Sequence, residues 1–149
     1  MSALLFLVLL LGCCGYALLR GDGPERVAAG LQIGAFALGL TLHRLVESNS
    51  YATALPATMV IDLVLLAALI ALTRLSTRFY PFWLGTWQGA AVVAHLAKLL
   101  DPGMLPTGYG FQTGFWAYPM LIATAVGTWR HRKRVASGDP DPGWRSQVS

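Results

Sequence analysis

Two histidines and an aspartate interrupt stretches of chain that are otherwise apolar: His43 in LHRLVE, His95 in AHLAKLLD and Asp62 in VIDLVLL. Two imidazoles at similar depth could ligate a haem iron axially, could bind a divalent metal together with Asp62, or could pass protons beside a quinone. The sequence selects none of these, because neither histidine stretch is an established ligand motif. No HExxH, CxxC, GxSxG or phosphate-cradling glycine loop occurs anywhere in the chain. No cofactor is therefore predicted, and haem or a divalent metal at His43 and His95 stands only as an option.

Other polar residues surround these three. Arg44 and Glu47 follow His43, and Lys98 and Asp101 follow His95. Gln32 and Gln88 fall within about 20° of the stripes that carry His43 and His95, taking 100° per residue along a helix. This predicts a polar layer in which His43, Asp62 and His95 form a binding or relay site. Gln32, Arg44, Glu47, Gln88, Lys98 and Asp101 would support it. Arg44 and Lys98 also have an interfacial reading, near a helix C-terminus and within reach of headgroups.

The elements that must position these groups are apolar spans. Of the 149 residues, 55% are hydrophobic and only 12% charged, outside the range of a soluble domain. A hydrocarbon core takes roughly 20 apolar residues to cross. The chain offers five such runs, at about 3–19, 27–46, 56–74, 80–100 and 110–129. Turn formers or charges break them: RGDGPER, ESNSYATALP, STR and DPGMLPTGY. The expected fold is an all-α polytopic bundle of five transmembrane helices over residues 1–134. The polar, Pro- and Gly-rich stretch 135–149 is expected to be a disordered tail.

Basic residues orient the spans, since Lys and Arg collect on the cytoplasmic side. Arg20 and Arg26 flank the first loop, Arg74 and Arg78 the third, and RHRKR follows the last span, whereas the second and fourth loops contain neither Lys nor Arg. An external N-terminus and a cytoplasmic C-terminus satisfy every loop. Cleavage before Cys13, as in a lipoprotein, would place RHRKR outside, and no basic region precedes it. Nine arginines against two lysines point to a bacterial inner membrane. With this orientation His43, Asp62 and His95 share a level roughly 5 to 10 Å below the outer surface.

Small residues recur at four-residue spacing in three spans: Gly30 and Gly34, Gly85 and Gly89, Gly110 and Gly114. Apolar helices in lipid gain little from burial against one another, so these glycines are expected to bring backbones close within the bundle or against a partner. Pro119 predicts a kink in the fifth span. The expected partners are the bilayer and a membrane protein or a second copy of the chain. Nucleic acid is not expected, because RHRKR already has a topological role. A non-enzymatic accessory or assembly subunit of a membrane complex is the leading expectation, followed by the outer His/Asp site and then by small-solute transport.

Overall fold

The computed structural model describes residues 3–46, 51–100 and 115–147. Five helices account for most of them: α1 (Ala3–Arg20), α2 (Gly23–Val46), α3 (Tyr51–Leu75), α4 (Tyr80–Leu100) and α5 (Ala117–Ala136). A short 3-10 turn follows at Arg145–Gln147, and no strand occurs among the described residues. Each of the first four helices covers the apolar run that anticipates it.

Short links make α1–α2 and α3–α4 helical hairpins. Each helix packs on its neighbours in chain order, α5 closes the ring against α1, and α2 reaches across to α5. Two apolar clusters fill the interior. One joins Ala28, Leu65, Leu69, Leu72, Leu84 and Met120, and the other joins Leu10, Cys14, Ala17, Ala29 and Leu121.

Among the described residues one helix, over Ala57–Leu75, is long and apolar enough to cross a membrane, and Leu4–Arg20 is apolar but shorter. The other helices fall short for an identifiable reason. α2 and α4 carry Glu25, Gln32, Gln88 and His95 on their buried faces, and α5 ends in RHRKRVA.

Pro119, expected to kink the fifth span, lies in the first turn of α5, directly after a turn at Trp116 that separates helical Phe115 from Ala117. Residues 110–114 of that span lie outside the described residues. Two expectations are corrected here. α5 continues past Trp129 through the basic cluster to Ala136. Finally, the tail is not disordered through 147. Gly138 takes a positive φ of 75° and turns the chain back, and an antiparallel bridge then pairs Trp144 with Ser76. Thr77 N–H donates to Gly143 O at 3.2 Å, and Arg145 Nε to Ser76 O at 3.1 Å.

The glycine expectation also changes. A Cβ added at Gly30, Gly34, Gly85 or Gly89 would meet nothing within 4 Å, so these residues mark no close backbone approach among the described residues. Gly110 and Gly114 lie outside the described residues. The close approaches are elsewhere: a Cβ at Gly127 would lie 2.6 Å from the Tyr80 ring, and one at Gly23 would lie 2.5 Å from Trp144 Nε1. Both positions lie toward the end of the bundle that carries the arginines.

Candidate functional site

Toward the opposite end of the bundle, α3 and α4 are tied together through Asp62. His95 Nε2 lies 2.6 Å from Asp62 Oδ2, a short hydrogen-bond contact. The Gln88 amide donates to Asp62 Oδ1 at 2.9 Å and to its backbone oxygen at 3.2 Å. His95 and Gln88 are buried, 3% and 4% exposed, whereas the Asp62 side chain keeps 26% of its surface. The helical repeat accounts for this pairing. Gln88 and His95 are seven residues apart, two turns of α4, and so face α3 along one stripe.

A second polar tie runs between α2 and α5, where Gln32 Nε2 donates to Thr124 Oγ1 at 2.6 Å and that hydroxyl donates on to Met120 O at 3.0 Å. Gln32, Asp62 and Gln88 all border one cavity of about 180 Å³, walled otherwise by Phe6, Phe36 and Trp116 among others. Gln32 Oε1 is buried there without a hydrogen-bond partner.

The predicted site is thus assembled in part. Gln32, Gln88 and His95 are buried in the bundle, and half-buried Asp62 bonds the latter two. His43 does not share that shelter: it is exposed, as is Arg44 beside it. The stripe that buries Gln32 continues to His43, but from Ile33 to Arg44 no residue of α2 is fully buried, and those that pack on the core do so only in part. Lys98 is half-buried near the end of α4, and Glu47 and Asp101 lie outside the described residues.

This geometry bears on the ligand options. A pair of buried imidazoles for a haem iron is not formed, since only His95 is buried and its Nε2 faces a carboxylate. A cavity of about 180 Å³ is smaller than the ~300–1,000 Å³ typical of small-molecule sites. No group of three His, Cys, Asp or Glu residues is placed to hold a metal among the described residues. The arrangement joins an imidazole to a carboxylate by a hydrogen bond and sets the carboxylate, with Gln32 and Gln88, at the edge of a small and mostly apolar cavity.

Sequence reasoning missed a larger polar centre at the arginine-rich end, built on Arg78. This side chain, 7% exposed, stands in the α3–α4 link and ion-pairs with the Asp141 carboxylate of the returning tail. It also meets His131 Nδ1 at 3.1 Å and Glu25 Oε1 at 3.2 Å, with Asp22 farther off at 3.8 Å. Asp141 further bonds His131 at 2.6 Å and Arg134 Nε at 2.7 Å.

Opposing effects set the charge states here. Burial pushes the Asp141 carboxyl up, but hydrogen bonds from Arg78, His131 and Arg134 outweigh it and hold its pKa at about 2. Glu25 is fully buried, and that burial raises its pKa more than Arg78 and the backbone N–H groups lower it. The signal available in the sequence was two aspartates, Asp139 and Asp141, placed shortly after a strongly basic helix end. Comparison with family models, with curated proteins and with solved structures yields no match.

Proposed function

We propose that this chain is a small multi-pass inner-membrane protein whose five helices all cross the bilayer, and that it serves as a non-enzymatic accessory or assembly subunit of a membrane complex. One observation carries the reading: large apolar side chains cover the outside of the bundle, while several polar side chains lie inside it beside the apolar clusters. Large apolar side chains are exposed on every helix, among them Leu4, Leu11, Leu38, Val64, Val93, Leu100 and Ile122. The buried set meanwhile includes Glu25, Gln32, Arg78, Gln88, His95, Thr124 and Thr128. Water would penalise that apolar exterior, whereas lipid accepts it and requires the polar groups to be satisfied inside. The hydropathy of α2 and α4 is lowered in part by Glu25, Gln32, Gln88 and His95, which the bundle buries, and that of α5 by the basic cluster at its end.

Carbonate extraction and a C-terminal fluorescent reporter test the topology, which expects the chain in the membrane pellet and the reporter folded in the cytoplasm. Release by carbonate, or an external C-terminus, overturns it. The subunit role expects a stoichiometric partner or self-association in mild detergent, and a monodisperse monomer without partners overturns that role alone. A second reading draws on Asp62, which is hydrogen-bonded to His95 and Gln88 yet borders the small cavity. In that reading the pair relays protons near the outer surface. Proton flux in liposomes that disappears with Asp62→Asn would support this, and unchanged flux would end it.

A further inference from the structure

We infer that the arginine-rich end of the bundle holds an anionic phospholipid of the cytoplasmic leaflet, its phosphate on Arg130 and Arg134 and its acyl chain along α4 and α5. The inference rests on the membrane reading above and deepens it. A cavity of about 760 Å³ opens between the start of α4 and the last three turns of α5, within the range that small-molecule sites occupy. Its chemistry is graded. Arg78, Arg130, Arg134 and Asp141 line one end, and Trp83, Trp87, Ala123 and Val126 line the other. From Arg134 to Ala123 the helix rises ~16 Å, so the gradient runs from a headgroup level to an acyl level.

The charges at the polar end are unequal. Asp141 supplies one negative charge, and Arg78 together with Arg134 Nε engages it. Arg130 is exposed and makes no hydrogen bond or ion pair with any described residue, and 40% of the Arg134 side chain is accessible. Arg78 is taken up by Asp141, Glu25 and Asp22, so the positive charge open to a ligand at the rim is that of Arg130 and of the accessible part of Arg134. A planar guanidinium matches a phosphate in charge and in bidentate geometry. A phosphate group with an apolar tail is therefore the shared chemistry, and the indole walls favour a lipid over a free phosphate ester. An anionic leaflet adds to this by attracting basic residues near its surface.

The test uses the full chain in neutral-detergent micelles doped with phosphatidylglycerol or phosphatidylcholine, each brominated on the acyl chain, with tryptophan quenching as the readout. Phosphatidylglycerol should quench at a several-fold lower mole fraction. Arg130→Gln should weaken that preference about fivefold, the equivalent of roughly 1 kcal/mol, and Arg130→Lys should restore part of it. Arg130 has no partner among the described residues, so the variant should keep its helix content and melting behaviour. Equal quenching by the two lipids, or an unaltered preference in Arg130→Gln, overturns the site. Competition by inorganic phosphate or glycerol phosphate as potent as by the lipid overturns the lipid assignment in favour of a soluble anion. Carbonate extraction keeps the two readings apart: a chain retained in the membrane without lipid preference defeats this inference alone, and selective quenching by a chain that carbonate releases defeats the membrane reading alone.

Discussion

The two polar centres of this bundle differ in how many elements each one joins. Around Asp62, two neighbouring helices meet through one imidazole and one amide, and the carboxylate keeps a quarter of its surface accessible. Around Arg78, the first turn of α2, the α3–α4 link, the end of α5 and the tail converge on one guanidinium that is 7% exposed. The first centre is a tie between two helices, and the second is the point at which separate parts of the chain are fixed together. Removing its cation would leave buried Glu25 without its arginine and Asp141 with only His131 and Arg134.

That difference gives the largest expected effect. Arg78→Ala should cost about 3–5 kcal/mol, the range for breaking a buried ion pair by deleting one partner. Arg78→Lys should recover only part, since an ammonium cannot meet Asp141, His131 and Glu25 at once. Thermal or denaturant unfolding in detergent measures both. If Arg78→Ala proves no more damaging than Asp62→Ala, the proposed contrast between the centres is wrong.

At the Asp62 centre the expected loss is smaller, about 1.5–3 kcal/mol for Asp62→Ala or His95→Ala, as for a hydrogen bond to a charged group. Replacing Asp62 and His95 together by alanine should cost less than the two single losses combined, because neither of the two is then left facing a missing partner. Unfolding of the four proteins in a double-mutant cycle decides this. Strict additivity would mean that the short contact between them contributes nothing of its own.

Acid should separate the tail from the rest of the molecule. The Asp141 pKa in the folded protein is about 2, below its ordinary value of 3.8. A depressed carboxyl contributes stability that is present above the ordinary pKa and disappears as pH falls through the folded one. Docking of residues 139–145 should therefore be intact at neutral pH and weaken between roughly pH 4 and 2. Glu25 acts in the opposite sense, since its raised pKa makes its buried charge less costly as pH falls. The net release should thus be confined to the tail, read as protease access near Gly138. Asp141→Asn should leave the tail accessible at neutral pH and remove most of this pH dependence. An unchanged acid profile in Asp141→Asn would locate the titrating group elsewhere.

What the sequence revealed follows from the same contrast. Apolar runs located four of the helices closely, because α1 to α4 are continuous stretches bounded by charges or turn residues. The seven-residue spacing of Gln88 and His95 placed both on one helix face, and Asp62 met them because α3 and α4 are consecutive and joined by a short link. His43 carries the same residue type at a matching position of α2, yet it is exposed. Whether a stripe is covered depends on the neighbouring helices, which periodicity does not encode. The Arg78 centre was unreadable for a related reason: Arg78 and Asp141 are 63 residues apart, and their meeting depends on the turn at Gly138. A proline-rich, charged tail looks unable to bury anything, but Asp141 and Trp144 are enough to hold it.

Glycines give the mildest perturbation and the sharpest comparison. Gly127→Ala should cost about 1–3 kcal/mol, because the new methyl would press into the Tyr80 ring where α4 and α5 touch. Gly30→Ala and Gly34→Ala should change the stability of the isolated chain by no more than about 1 kcal/mol, and in the favourable direction, since alanine is the better helix former and nothing lies within 4 Å. Both effects are read from unfolding in detergent. A clear destabilisation by Gly30→Ala would show that a neighbour does press on that face. A stable variant that loses self-association would show instead that the small residues of α2 serve contacts between molecules, leaving the bundle itself to the close approaches at the arginine-rich end.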